Sequence, residues 1–157
     1  MARLSRAPAF INIDPFFPDL LGYFSGNKDI FAAYLYGSYG TAAQTPFSDV
    51  DLAVLLAPEA DRTLPKQMEI EANLAKICHI DDINLLLLND APVLLQFKVI
   101  STGRLIFARD AEAVNDFQEL VCKRYADFMP DYLNFCRDYD RSLREAYSYG
   151  GKGETAG

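Results

Sequence analysis

Two apolar runs constrain this chain more than any other feature. "IFAAYLY", from Ile30 to Tyr36, and "VDLAVLL", from Val50 to Leu56, are flanked by turn signals and apolar at odd and even positions alike. A strand sends alternate side chains to opposite faces, so a run that is apolar on both needs cover on both. Each run therefore belongs in the middle of a sheet with helices on either side. Gly37, Gly40 and Pro46 place the segment between them in a turn or short helical connection.

The remaining elements follow from capping and periodicity. Asp14 as a cap and Pro15 at the first helical position predict a helix over 15–24. From Pro65, the spacing of Met68, Ile70, Leu74 and Ile77 predicts a helix to Cys78, and "DDINLLLLND" then predicts a third strand. Val93, Leu94, Phe97 and Ile100 suggest a short helix closed by Gly103, and "RLIFARD" a small strand. From Ala113 onward, Val114, Phe117, Val121, Tyr125, Phe128, Tyr132, Cys136, Tyr139, Leu143 and Tyr147 recur by threes and fours. They predict one amphipathic face across two helical pieces around Pro130. Its aromatic stripe reads mostly as core, although its tyrosines would also suit a partner helix. The expected class is α/β (α+β), a small mixed sheet packed by helices, with C-terminal helices from about 113. One domain is expected over 14–148, after an N-terminal extension 1–13 and before a frayed, flexible tail 149–157.

Charge and cysteine content narrow the function. Asp and Glu outnumber Lys and Arg by 22 to 15, a net charge of -7, opposite to the electrostatic footprint of a nucleic-acid binder. Direct nucleic-acid binding is not expected, and a basic partner suits the chain better than an acidic one. Cys78, Cys122 and Cys136 lie far apart without metal-ligand spacing, and His79 is the single histidine. They point to a reduced, cytoplasmic protein. No segment has the length of a membrane span, and the N-terminus has no adequate apolar stretch for export.

The chemistry gathers in "YGSYGTAAQTPFSDVDLAVLL". Asp49 and Asp51 are two apart on a strand, so they project together, while Val50 and Leu52 enter the opposite layer. Paired carboxylates at the edge of an apolar core repel, and a shared proton or a bound cation relieves the repulsion. Magnesium suits such a site when phosphate is the substrate, because it takes hard oxygen ligands and keeps positions for phosphate and water. Gly37 allows close backbone approach, and the Ser38 hydroxyl and nearby N–H groups can donate to phosphate oxygens. An Asp-x-Asp alone is commonly a strand-edge device and a Gly-Ser pair alone says little. Their joint occurrence between two buried strands, with Ser48 just before Asp49, favours a nucleotide and metal site.

This Gly-Ser-x10-Asp-x-Asp element resembles the signature of the nucleotidyltransferase superfamily related to DNA polymerase β, in its smallest form, the minimal nucleotidyltransferases. "INLLLLNDAP" is similar to that family's third catalytic strand, "VISTGRLIF" to the following turn and strand, and "RYADFMPDY" to its C-terminal helix. The resemblance spans roughly residues 14–145. It implies metal on Asp49 and Asp51, and a triphosphate held by Gly37 and Ser38 with Ser48 nearby. It also implies a third acidic position, which falls on Asn84 here, with Asp82 one pleat away as the residue able to orient or deprotonate the acceptor. The turn carries Gly40, Thr41 and Ala42 where many relatives have Ala-Arg-Gly. Such proteins are commonly antitoxins that transfer AMP from ATP, with Mg2+, to a tyrosine of a HEPN-domain ribonuclease toxin. The expected function is therefore a protein adenylyltransferase acting on a HEPN partner, in a hetero-oligomer. A purely binding antitoxin and a small-molecule adenylyltransferase, for instance of an aminoglycoside, are the alternatives. His79 beside the third strand could be a base, but reads more simply as a hydrogen-bonded or surface residue.

Overall fold

The computed structural model describes the backbone of residues 10–155 and the side chains of residues 10–146. A short 3-10 turn, Asp14–Phe16, leads into α1, Phe17–Gly26. Strands β1, Ile30–Tyr36, and β2, Val50–Leu56, follow, then α2, Leu64–Cys78. β3, Ile83–Leu87, α3, Val93–Thr102, β4, Arg104–Ala108, and α4, Ala111–Thr155, complete the order.

The four strands form one mixed sheet in the order β3-β2-β1-β4. β1 runs antiparallel to both β2 and β4, and β2 parallel to β3. The two doubly apolar strands are the central pair, as their composition requires. Ile30, Leu35, Val50, Leu52, Val54 and Leu56 pack on one face beneath Leu20 and Phe24 of α1 and Ile70, Leu74 and Cys78 of α2. Ala32, Tyr34, Ala53 and Leu55 pack on the other, against Val99 of α3 and Val114 of α4.

Polar side chains close the sheet's margins. Asn89, just after β3, accepts the Leu56 N–H at 2.8 Å and donates to its carbonyl at 2.9 Å, so the second Asn of "INLLLLNDAP" ties down the far end of β2. On the outer edge of β3, Glu71 accepts the Leu85 N–H at 2.9 Å and Gln67 donates to the Leu85 carbonyl at 3.1 Å, which shields an otherwise open strand edge. Arg109, past β4, donates to the carbonyls of Phe24, Ser25, Asn27 and Ile30 at 2.8–3.0 Å. One guanidinium thus satisfies the orphan carbonyls ending α1 and joins them to the start of β1.

Four sequence expectations change. The helix read as breaking at Pro130 is continuous from Ala111 to Thr155. Pro130 and Ala126 are both exposed, so the Ala126 carbonyl that loses its N–H partner is open to solvent. The same helix carries through Gly150 and Gly151, where a frayed tail was expected, because propagation adds a hydrogen bond for each residue fixed. The aromatic stripe is core only in its first turns. Val114 and Val121 are buried, and Tyr125 stacks on Phe97 of α3 with ring centroids 3.6 Å apart. Beyond the end of the body, Phe128, Leu133, Phe135, Tyr139 and Leu143 are exposed, Phe135 by 64 %. Ile13, assigned by sequence to an extension, is fully buried in the core.

Candidate active site

The site lies at one end of the sheet, where β1 ends, β2 begins and β3 begins. Register places Tyr36 across from Asp51 on one side and Asn84 across from Asp51 on the other. Asp49 and Asp51 share the face that carries Ala53 and Leu55, as alternation demands. Asp49 is exposed and Asp51 half-buried.

Asn84 is the residue that joins them. Its side-chain amide donates to Asp49 Oδ2 at 3.2 Å and to Asp51 Oδ1 at 3.1 Å. A neutral donor here lessens the repulsion between the carboxylates and fixes both rotamers. Asp82, expected from one pleat away as a third carboxylate, gives its backbone carbonyl to the Val50 N–H at 2.8 Å and so pins the start of β2 to β3. Among the described residues no three His, Cys, Asp or Glu side chains converge on one point. The side-chain contacts among the described residues make a carboxylate pair joined by an amide.

Gly37 has φ +76, and a side chain there would collide with the Asp51 carboxylate. The missing Cβ lets Asp51 lie against the turn, a requirement on the aspartate as much as on any phosphate. Among the described residues the Ser38 hydroxyl makes no hydrogen bond. The Ser48 hydroxyl is 2.9 Å from the Thr45 N–H and 3.1 Å from Thr45 Oγ1, so it clasps the loop that precedes Asp49. Burial, and then the neighbouring Asp51, push the Tyr36 phenol above its ordinary range, so it stays a neutral wall of the site.

What holds the turn was not visible in sequence. Tyr39 is buried, donates its hydroxyl to Asp14 at 2.7 Å and accepts the Ile13 N–H at 2.9 Å. Gln44 accepts the Gly40 N–H at 2.9 Å and donates to the Ile11 carbonyl at 3.1 Å. Residues 11–14 are therefore the floor of the turn. The nearest sequence signal was an apolar Ile13 directly before the Asp14-Pro15 helix start. His79, considered as a base, has φ 56, closes α2 in the left-handed conformation and lies 5.0 Å from the Phe16 ring, a structural placement.

Paired acidic side chains on a central strand beside a glycine turn match a known family pattern along most of the folded body. The sequence profile of the polymerase β nucleotidyltransferase family matches residues 19–112, which include the carboxylate pair, the turn and Asn84. The chain belongs to the polymerase β nucleotidyltransferase family. No curated protein matches it by sequence. Its fold is similar to that of a toxin-antitoxin structure with AMP-PNP: TM-score 0.65, 23% identity, covering 80% of this chain and 96% of that one. It is also similar to a chain in the structure of tri-AMPylated Shewanella oneidensis HEPN toxin in complex with MNT antitoxin: TM-score 0.65, 20% identity, covering 82% and 98%. A MntA-HepT toxin-antitoxin structure gives TM-score 0.63 at 20% identity, covering 80% and 97%. At these identities the likeness establishes the fold of this nucleotidyltransferase. Among the described residues, none of its helices is long and apolar enough to cross a membrane.

Proposed function

We propose that this nucleotidyltransferase is an antitoxin that transfers AMP from ATP to a tyrosine hydroxyl of a HEPN-family ribonuclease toxin and so silences it. The observation that carries the reading is the Asp49–Asp51 pair, held by Asn84 against the Gly37 turn. The solved relatives support the partner. Two further features agree with it: a net charge of -7, and the uncovered aromatic stripe of α4, which suits an apolar helical surface.

The donor set fits Mg2+. Asp49 and Asp51 offer hard oxygens on one face and leave room for phosphate and water. Bound there, the ion supplies neutralisation of the charge that develops on the phosphate oxygens. The chain's own groups do the rest. The Gly37 turn admits the triphosphate, Ser38 donates to it, and Tyr36 limits water on the core side. The acceptor oxygen bonds to the α-phosphorus as the bond from that phosphorus to the β-phosphate oxygen breaks, releasing pyrophosphate, and the tyrosine proton passes to solvent water. Asn84 cannot take that proton, because an amide is no base near neutrality. Catalysis therefore rests on positioning and charge.

The test is intact-mass analysis of a HEPN-family toxin after incubation with the chain, ATP and Mg2+. One or more added AMP groups are expected, and none with an Asp49→Asn, Asp51→Asn double variant. Asn84 in place of an acid favours one second reading, neutralisation by binding alone. That reading is correct if the double variant still silences the toxin as fully as wild type with no mass gain. Modification confined to a small acceptor such as an aminoglycoside would overturn both.

A further inference from the structure

The site described above carries two carboxylates and has to receive a polyphosphate, yet the turn itself, "GSYGTAAQ", contains no cation. The charge comes from another strand. Arg104 opens β4 beside the end of β1, in register with Leu35. Its guanidinium reaches over the turn, so that a side-chain carbon built on Gly40 would lie 3.5 Å from Arg104 Nη2. Among the described residues Arg104 forms no ion pair and no side-chain hydrogen bond, unlike Arg62, Arg109, Arg141 and Arg144.

The backbone beneath it is tightly placed. A Cβ on the preceding Gly103 would come within 2.5 Å of the Val99 carbonyl oxygen and 3.2 Å of both the Leu35 carbonyl oxygen and Tyr36 Cβ. Glycine here lets β4 start directly against the Val99 carbonyl at the end of α3 and close beside the end of β1, which sets Arg104 next to the turn. Gly40, with φ +74, leaves the space above its own backbone open for the guanidinium. An arginine whose fork is unspent and whose root is fixed is well suited to take phosphate oxygens in two parallel hydrogen bonds.

We propose that Arg104 holds the non-transferred phosphates of the nucleotide, on the side of the turn served by β4, while Asp49 and Asp51 face the reacting phosphate. This rests on the nucleotidyltransferase reading of the same site. It makes Arg104 a substrate-binding residue that discriminates a triphosphate from a monophosphate.

Equilibrium titration with AMP-PNP and with AMP, in the presence of Mg2+, tests it on wild type, Arg104→Ala and Arg104→Lys. Arg104 is exposed, so both variants should fold, which circular dichroism checks. Arg104→Ala is expected to weaken AMP-PNP binding about 10- to 100-fold, as for a lost hydrogen-bonded charge, and to leave AMP binding within about twofold. Arg104→Lys should lie between, since it keeps the charge and loses the fork. Equal AMP-PNP affinity in wild type and Arg104→Ala overturns the assignment while leaving the functional reading intact. Equal weakening of AMP and AMP-PNP also overturns it, by showing a general disturbance of the site. A wild-type chain that binds no AMP-PNP overturns the functional reading, and this assignment with it.

Discussion

At Gly37 a side chain faces two separate obstacles, a left-handed backbone and the Asp51 carboxylate. The backbone strain costs about 1–2 kcal/mol for an alanine. The collision falls on a short side chain that can swing away, so Gly37→Ala should lose more in activity than in stability. Urea unfolding is expected to shift by about 1–2 kcal/mol, and AMP transfer to drop by about 100-fold or more as Asp51 leaves its position. Transfer at the wild-type rate would show that the contact is idle. Asn84 gives a complementary test. Asn84→Asp replaces a donor to both aspartates with a third negative charge, so without metal the fold should lose about 1–2 kcal/mol. Added Mg2+ should recover that loss and raise the melting temperature of the variant more than that of wild type. No response to Mg2+ in either chain would mean that the pair does not bind the ion.

α4 is two things in one helix. Its first turns complete the core through Val114 and Val121, and farther along Phe128, Tyr139 and Leu143 of the same stripe are exposed. Side chains that are mostly solvated in the fold contribute little to unfolding free energy. A chain ending at Ala126 should therefore unfold within about 1 kcal/mol of the full-length chain and keep its affinity for AMP-PNP. A loss of several kcal/mol in chemical denaturation would place the distal helix among the structural elements. If the helical partner is the reason for the stripe, the truncated chain should also fail to hold the toxin in gel filtration.

For the molecule as a whole, burial sets the alkaline limit of stability. The buried Cys78 thiol is pushed up to about 11 from its ordinary 9.0 by desolvation. The folded state thus favours the neutral thiol over what the unfolded chain allows. The stability this contributes is present in full below about pH 9 and disappears as pH climbs through about 11. Tyr34, raised from 10.0 chiefly by burial, adds to the same loss. Denaturation midpoints in urea should therefore fall over that interval, and Cys78→Ala should show a shallower fall from a lower starting stability. A variant with an unchanged slope would mean that the thiol does not ionise on unfolding there.

How much was legible in the sequence depends on how local the cause was. Two runs apolar on both faces dictated central strands, and the alternation of side chains put Asp49 and Asp51 on one face, because both rules act within a few residues. Helix limits marked by Pro15, Pro65 and Gly103 were equally local and agree with the structure within two residues. Pro130 misled, since a helix can run through a proline where the freed carbonyl opens to solvent, and exposure is not written beside the residue. The stripe of α4 misled for the same reason: periodicity tells which face is apolar, not what covers it. Asn84 as the bridge between the aspartates, Ile11–Asp14 as the floor of the turn, and Arg104 above Gly40 depend on strand order and register. The sequence by itself determined which residue types meet a phosphate. Only the tertiary structure decided which of them stand within reach of one another, because those neighbours come from strands and loops far apart in the chain.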